Sequence, residues 1–335
     1  MSSPTPTPTN ILILGLGELG TAILSALVTH PSFNPATATL TVLRRSAPST
    51  PSTSLSSFLD PLPANLPPNI QSETKISFET ADLSTAPIPE LSAIFAKYDV
   101  VIQCTGYGFP RGTLTRIAEA VLNAGVKRFV PWQFGVDYDA VTNPAHAELV
   151  GEMRGVRKLL REQGKEGQGE GKTRWTVIST GLFMSFLFLR EFGVVDVKER
   201  VVRALGGWDS QVTVTDVSGI GRMVAECVFE GRREETESRV VYVAGDTVTY
   251  REVAEIVEQG FGGEWRREEW DDEVLKRMLE ERPGDLMARY QNMFGAGVGV
   301  TWEMERTLNY NRGIKLTGLK EYVEENREKL LQMAE

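Results

Sequence analysis

Residues 11–27 read ILILGLGELGTAILSAL, and this stretch decides the fold. Its apolar start predicts a buried strand, a G-x-G-x-x-G turn follows, and apolar residues at helical spacing come after the turn. In such a turn Gly15 permits the tight reversal, Gly17 lets the backbone approach a pyrophosphate, and Gly20 lets the helix pack closely on the strand. The phosphates would lie at the N-terminus of the helix. The cofactor contacts predicted here are Gly15, Gly17, Glu18, Leu19 and Gly20.

A second strand, predicted over residues 39–43, ends just before Arg44, Arg45 and Ser46. NAD-selective sites usually place an Asp or Glu at this point, where its carboxylate accepts a hydrogen bond from the ribose 2′-hydroxyl. Arginine and serine side chains instead suit a 2′-phosphate, which they bind through charge-assisted hydrogen bonds. These residues therefore predict NADPH as the cofactor, with solvated loop charges as the alternative interpretation.

The composition limits the class of protein. The chain has 335 residues, 41% of them hydrophobic, which is enough for a large domain with a buried core and a smaller partner. Its formal net charge is −9 and it has no basic run, so no nucleic-acid partner is expected. No membrane partner is expected either, because no apolar run approaches the roughly 18 residues that span a bilayer. Two cysteines and two separated histidines predict neither a disulfide framework nor a metal site, and we expect a cytoplasmic location.

Short apolar strands alternate with amphipathic helices along much of the chain. This order predicts an α/β protein with a Rossmann-type, doubly wound parallel sheet and a smaller C-terminal substrate lobe. A strand over 240–244 is expected to return to the main sheet, and residues 264–335 are expected to be helical. The predicted segments are a disordered lead-in at 1–9, a cofactor-binding domain at 10–181 to which 208–260 return, and a substrate lobe with C-terminal helices at 182–207 and 261–335.

Residues that directly follow the strands form one set of candidates, because ligands of open α/β sheets bind outside the carboxyl ends of the strands. Glycines at two such positions, Gly106 and Gly181, predict a close approach of the backbone. Asp82 is equally well interpreted as the cap of a turn. Further cofactor contacts are predicted at Asp82, Leu83, Thr105, Gly106, Gln133, Thr180 and Gly181, and substrate contacts at Trp132 and Phe183.

Several blocks of the chain together resemble one family. They are GLGELG at 15–20, KRFVPWQFGVDYD at 127–139, STGLF at 179–183, ALGGWD at 204–209 and YVAGDTVTY at 242–250. Over nearly its whole length the chain is similar to the NmrA-like, isoflavone-reductase-like branch of the short-chain dehydrogenase superfamily, and most similar to fungal CipA-type members. The resemblance implies a Rossmann domain, a small C-terminal substrate lobe, NADPH, and reduction of aromatic or heteroaromatic secondary metabolites.

Two departures from the family pattern bear on catalysis. The superfamily's Tyr-x-x-x-Lys pair would place a lysine at position 142, but Tyr138 is followed there by Thr142. Isoflavone-type reductases carry a lysine four residues before a Val-Arg arginine; with Arg157 as that arginine, the lysine position falls on Met153. The resemblance therefore implies a site without the family's general acid–base lysine.

Hydride transfer depends chiefly on orientation, because the cofactor supplies the difficult chemistry. An imine, an iminium ion or an activated C=C bond is favoured as the acceptor over a simple ketone, whose developing alkoxide needs a proton donor. Tyr138 and His146 are the candidate donors, and Gln133 is a candidate hydrogen-bonding partner of the nicotinamide or the substrate. A half-buried loop tyrosine, a loop histidine and a local turn role are the respective alternatives.

The leading hypothesis is an NADPH-dependent reductase of an aromatic or nitrogen-containing secondary metabolite. A second hypothesis is a redox sensor, because NmrA typifies relatives that hold the dinucleotide and bind a partner. A third is a cyclase or isomerase that uses the cofactor structurally. The sequence leaves the oligomeric state open, a homodimer included.

Overall fold

A computed structural model of the chain describes residues 10–46, 54–59, 63, 66–106, 108–163, 173–231 and 233–333. The lead-in predicted at 1–9 lies outside the described residues. The strands, numbered in chain order, are β1 (Asn10–Leu14), β2 (Thr39–Arg44), β3 (Ile76–Thr80), β4 (Val100–Gln103), β5 (Arg128–Val130), β6 (Arg174–Ser179), β7 (Leu182–Phe183), β8 (Val195–Asp196), β9 (Val201–Leu205), β10 (Gln211–Thr215), β11 (Arg239–Tyr242), β12 (Asp246–Thr249) and β13 (Arg266–Trp270).

The helices are distributed along the whole described chain. They are α1 (Glu18–Thr29), α2 (Pro68–Glu73), α3 (Ile88–Phe95), α4 (Thr113–Ala124), α5 (Ala147–Glu162), α6 (Met184–Leu187), α7 (Val217–Phe229), α8 (Arg233–Thr236), α9 (Tyr250–Phe261), α10 (Asp272–Glu281), α11 (Leu286–Gly295), α12 (Leu308–Asn311) and α13 (Leu319–Gln332). Short 3-10 turns occupy Leu55–Ser57, Pro144–His146 and Met304–Arg306. Among the described helices, none is long and apolar enough to cross a membrane.

A seven-stranded sheet has the strand order β11-β6-β5-β4-β1-β2-β3. From β3 across to β6, neighbouring strands run parallel. Since β1 lies between β2 and β4, the winding of the chain reverses between β1 and β4, which is the position where such sheets bind ligands. The prediction of a Rossmann-type, doubly wound sheet is confirmed, and the strand expected at 240–244 is β11 at the sheet edge.

The first strand shows why the sequence forms this sheet. Residues Ile11, Leu12, Ile13 and Leu14 are completely buried. A parallel strand covered on both faces needs apolar side chains in succession, and β1 supplies them. The strand is thereby fixed in the core, and the glycine-rich turn begins at its carboxyl end.

Contacts within the chain divide it into two compact units. The first unit comprises Met1–Gln133, Glu152–Ile178 and Ile220–Val241. The second unit comprises Phe134–Gly151, Ser179–Gly219 and Tyr242–Glu335. Residues 208–219 and 242–260, which the sequence assigned to the cofactor-binding domain, fall in the second unit by this measure.

The second unit contains two three-stranded sheets, β12-β10-β7 and β13-β9-β8. The expectation of helix throughout 264–335 is wrong at Arg266–Trp270, which forms β13 and pairs in parallel with β9. This segment is mostly charged and carries no apolar periodicity that would indicate a strand. Its pairing depends on a strand distant in sequence: Arg203 of β9 donates from Nε to Glu268 Oε2 across the pair at 2.7 Å.

Candidate functional site

The turn after β1 is closely packed at Gly15 and Gly20 and open at Gly17. Gly15 has a φ of 89°, in the left-handed region, and its N–H donates to the Leu43 carbonyl at 3.2 Å. A Cβ at position 20 would lie 2.2 Å from the Gly15 carbonyl oxygen. Nothing lies within 4 Å of where a Cβ on Gly17 would be, and Gly17 precedes α1 without a side-chain cap. The exposed start of α1 can therefore receive an anion.

A cleft of about 340 Å³ lies at the carboxyl ends of β1, β2, β3 and β4, within the first unit. Its volume is in the range of small-molecule pockets. The cleft is lined by Gly15, Leu16, Leu43, Arg44, Arg45, Ala81, Asp82, Leu83, Thr105 and Phe109. The structure thus brings together cofactor candidates that come from separate strand ends in the sequence.

Some residues of the cleft were not singled out from the sequence, and some predicted contacts do not line it. The unpredicted lining residues are Leu16, Leu43, Ala81 and Phe109. Phe109 could have been found from its position in the glycine-containing loop after β4. The predicted contacts of the first unit outside the lining are the exposed Gly17, Glu18 and Ser46, the buried Leu19, Gly20 and Gln133, and Gly106.

The two arginines of the cleft have different surroundings. Arg44 is the last residue of β2, and its guanidinium carbon lies 5.6 Å from the ring centroid of Phe58. The side chain of Arg45 is 74% exposed, and its Nε lies 3.8 Å from Asp82 Oδ2. At that distance and exposure the Arg45–Asp82 pair is a weak ion pair. The cleft therefore offers two guanidinium groups to an anion.

Asp82 both caps a turn and lines the cleft. Its Oδ1 accepts from the Ser84 hydroxyl at 2.6 Å and from the Ser84 N–H at 2.9 Å. These hydrogen bonds, with a smaller contribution from the charge of Arg45, hold the pKa of the Asp82 carboxyl below its usual range. The next residue, Leu83, is buried. The turn-cap interpretation of Asp82 is therefore observed together with its position at the cleft.

Gly106 lies against the indole ring of Trp132. A Cβ at Gly106 would be 2.4 Å from Trp132 Cδ2, so any larger residue would displace the ring. The Trp132 N–H donates to Gln103 Oε1 at 3.4 Å, and Gln103 Nε2 donates to the Thr105 carbonyl at 3.1 Å. The close approach predicted at Gly106 is thus made by Trp132, which packs on the loop that carries Thr105 into the cleft.

The same loop leads into α4, whose first turn is capped by a side chain from α5. The residue before α4, Gly112, has a φ of 86° and offers no side-chain cap. Glu152 Oε1 accepts instead from the N–H groups of Leu114 and Thr115, at 2.8 and 3.1 Å. A carboxylate at this position also suits the positive end of the helix dipole. Glu152 therefore ties α5 to the segment that follows the cleft residue Phe109.

Gln133 is buried, and both ends of its amide are bonded within the first unit. Its Nε2 donates to the Met153 carbonyl at 2.8 Å, and its Oε1 accepts from Arg157 Nε at 2.7 Å. Arg157 is completely buried, and Met153 is 7% exposed. The geometry shows Gln133 holding an arginine of α5, so its predicted contact with nicotinamide or substrate stays a prediction.

Tyr138 and His146, the candidate proton donors, both belong to the second unit and are buried at 7% and 2% exposure. A Cβ at Gly135 would lie 2.4 Å from the Tyr138 hydroxyl oxygen, so the hydroxyl packs against this glycine. His146 Nε2 and Asn292 Oδ1 are 2.9 Å apart, a hydrogen bond that the imidazole donates. Each polar group therefore faces protein groups of its own unit.

Thr180 and Gly181 are also in the second unit. Their N–H groups both donate to the Gly135 carbonyl, at 2.9 and 3.1 Å. Gly181 has a φ of 69°, and a Cβ there would lie 2.1 Å from the Thr213 carbonyl oxygen. The close approach predicted at Gly181 is therefore made by protein backbone, while Phe183 is half-buried in β7.

A polar cluster around Asp137 was not predicted from the sequence. The Tyr242 hydroxyl donates to Asp137 Oδ2 at 2.6 Å. Arg306 Nη2 lies 3.5 Å from the same oxygen, and its guanidinium carbon is 3.7 Å from the Tyr242 ring centroid. The only sequence signal was an acidic residue inside the apolar block before Tyr138. The cluster satisfies a buried carboxylate and joins Asp137, Tyr242 and Arg306 within the second unit.

Comparison with known proteins assigns the chain to a family. The model of the NmrA-like family matches residues 73–323. The chain belongs to the NmrA-like family. An "NmrA-like family domain-containing oxidoreductase" from Gibberella moniliformis is 46% identical over 325 residues, which cover 94% of this chain and 97% of the relative. The resemblance found from the sequence blocks is therefore confirmed.

Solved structures of similar fold include reductases. The crystal structure of an isoflavone reductase matches with a TM-score of 0.69 and 18% identity, covering 95% of this chain and 99% of that one. A binary complex of leucoanthocyanidin reductase with NADPH from Vitis vinifera matches with a TM-score of 0.70 and 17% identity, covering 96% and 99%. At such identities the likeness establishes the fold.

Proposed function

We propose that the chain is an NADPH-dependent reductase of an aromatic or nitrogen-containing small molecule. The observation that carries this proposal is the cleft at the winding reversal, where Arg44 and Arg45 follow β2 in place of an acidic residue. Two guanidinium groups can bind the 2′-phosphate that distinguishes NADPH from NADH. The oxidoreductase name of the 46%-identical relative and the NADPH bound to leucoanthocyanidin reductase support the same assignment.

The residues present fit this cofactor. The open space at Gly17 and the uncapped start of α1 can receive a pyrophosphate, and the cleft volume suits a nucleotide half. When bound, NADPH supplies the hydride. The residues proposed to hold it are Gly15, Gly17, Glu18, Leu19, Gly20, Arg44, Arg45, Ser46, Asp82, Leu83, Thr105, Gly106, Thr180 and Gly181.

The substrate class follows from the residue at the family's lysine position. Met153 is apolar and buried there, so this position supplies no proton. Hydride addition to a ketone carbon leaves an alkoxide that must take a proton from a donor. Hydride addition to an iminium carbon moves the C=N electron pair onto nitrogen and leaves a neutral amine, which needs no donor. An iminium ion, or an imine protonated in water, is therefore favoured, with activated C=C bonds next.

Tyr138 and His146 are the residues proposed to donate a proton where a substrate needs one, and Trp132 and Phe183 are proposed to contact the substrate. The burial of Tyr138 and the hydrogen bond from His146 to Asn292 limit how readily either side chain can reach a reacting atom. This limitation again favours substrates that need little general acid catalysis. Removal of either side chain should then affect ketone reduction more than iminium reduction.

Titration of the purified protein with NADPH and NADH is the first test. The NADPH-loaded protein is then mixed with cyclic iminium ions, enones and aromatic ketones, and oxidation is followed in a single turnover by absorbance. Selective NADPH binding with oxidation by an iminium ion supports the whole proposal. Oxidation by plain ketones that Tyr138→Phe leaves unchanged would refute the substrate class, and absent NADPH binding would refute the cofactor.

A redox sensor is the second candidate. Met153 at the lysine position favours it, because a protein that does not turn over a substrate has no need of the family's acid–base lysine. Such a protein would bind NADPH and NADP⁺ with different affinities and would reduce none of the acceptors in the panel. Tight NADPH binding without oxidation, combined with a difference between the two forms, would support the sensor. Equal affinities together with turnover would exclude it.

A further inference from the structure

We infer that Phe58, in the segment between β2 and β3, is a positioning residue that sets the preference for a 2′-phosphate by holding Arg44. This inference rests on the proposed function, because it concerns the same cleft. Phe58 belongs to a proline- and serine-rich stretch of the sequence, 46–72.

Three neighbouring apolar residues of this segment are buried. Leu55, Phe58 and Leu59 are only 1%, 8% and 2% exposed. Ser54 pairs with Lys75, next to β3, in an isolated antiparallel bridge. The 3-10 turn at Leu55–Ser57 is held by these buried residues and by the pairing of Ser54 with Lys75. Phe58, which directly follows the turn, can therefore fix the place of a neighbouring side chain.

The neighbouring side chain is Arg44. Its backbone lies in register with Thr80 of β3, and its guanidinium carbon lies 5.6 Å from the Phe58 ring centroid, over the ring. A cation at this distance is attracted to the aromatic face. Arg44 also lines the cleft, where guanidinium N–H groups can bind a phosphate in a bidentate manner.

Arg45 is less suited to this task. Its side chain is 74% exposed, and the Asp82 carboxylate at 3.8 Å partly offsets its charge. Arg44, by contrast, makes no ion pair with a carboxylate among the residues that the structure describes. Arg44 is therefore the guanidinium that is both held in place and available to an anion, and Phe58 is the group that holds it.

The test compares non-aromatic and aromatic replacements of Phe58. Phe58→Leu and Phe58→Met keep an apolar side chain but remove the ring, whereas Phe58→Tyr keeps it. Phe33→Leu is the matched control, because Phe33 is also buried in the first unit but its ring contacts Phe229 and not Arg44. Dissociation constants are measured for NADPH and NADH, and for 2′,5′-ADP and 5′-ADP, which report the 2′-phosphate without any redox step. Melting without nucleotide shows which variants are folded.

We expect Phe58→Leu and Phe58→Met to weaken NADPH and 2′,5′-ADP binding roughly 3- to 10-fold, the range of a partly buried cation–π contact. Binding of NADH and 5′-ADP should stay unchanged, and Phe58→Tyr and Phe33→Leu should behave as wild type. Equal losses for both members of each pair, or no loss in a folded variant, would overturn the role of Phe58 while leaving the reductase proposal intact. A wild-type protein that prefers neither 2′-phosphorylated nucleotide would overturn both.

Discussion

Replacing Gln133 by methionine separates a structural role from a catalytic one, because methionine keeps the volume and removes both hydrogen bonds. The bond from the charged Arg157 Nε to Gln133 Oε1 is 2.7 Å long, and bonds of this kind contribute about 1.5–3 kcal/mol. The bond from Gln133 Nε2 to the Met153 carbonyl, at 2.8 Å, is a neutral one worth about 0.5–1.5 kcal/mol. We therefore expect Gln133→Met to lower the free energy of unfolding by about 2–4.5 kcal/mol.

Urea unfolding followed by circular dichroism measures this loss, and NADPH affinity is measured where both proteins are folded. Gln71→Met is the matched control, since Gln71 is an exposed residue of the same unit and its replacement should change stability by less than about 0.5 kcal/mol. In the folded variant, NADPH affinity and single-turnover rate should stay within about threefold of wild type, a difference below 1 kcal/mol. Unchanged stability together with a rate loss of about 100-fold or more would refute the structural role and indicate that Gln133 acts at the reacting centre.

Four further predictions concern the cleft and its supports. Gly17→Ala adds a methyl group in open space, so the melting temperature should stay unchanged while NADPH binding weakens about tenfold. In Gly20→Ala the added methyl group collides with the Gly15 carbonyl, and the free energy of unfolding measured in urea should fall by more than about 2 kcal/mol. Glu152→Ala removes the cap of α4 and should cost about 1 kcal/mol in urea, whereas Glu152→Gln, which keeps an acceptor oxygen, should cost less. Because the pKa of Asp82 is lowered, its carboxyl group stays ionised between pH 5 and 8 and takes up a proton only at lower pH. NADPH titrations between pH 5 and 8 should therefore show no step that Asp82→Asn abolishes.

Each of these has a clear contrary result. A destabilised Gly17→Ala would mean that the space at this glycine is filled. Equal losses in Glu152→Ala and Glu152→Gln would show that the acceptor oxygen does not cap α4. A step in NADPH affinity near neutral pH that disappears in Asp82→Asn would contradict the lowered pKa.

The glycine turn and part of the lining of the cleft could be predicted from the sequence. Gly15 needs a left-handed φ, and Gly20 needs space that a Cβ would fill; both requirements belong to a contiguous motif. The alternation of strands and helices placed Arg44, Asp82 and Thr105 after successive strands, and parallel strands necessarily bring such residues to one edge.

The candidate catalytic residues could not be predicted in the same way. Tyr138 and His146 follow β5 in sequence, but whether their polar atoms are available depends on Gly135 and Asn292, which pack against them. Likewise, no feature near Gln133 in the sequence indicates that its amide is bonded to Arg157 on α5. These partners are chosen by packing, so a residue's place after a strand does not tell what its side chain contacts.

The sequence by itself determined the Rossmann-type sheet, the glycine turn and the arginines after β2, because hydrophobic periodicity, backbone freedom and charge act over a few neighbouring residues. Only the tertiary structure decided that Phe58 lies against Arg44, that Trp132 covers Gly106 and that the charged β13 pairs with β9. Those contacts join residues from separate segments, and their stability depends on the shape and burial of the folded core, which no local pattern encodes.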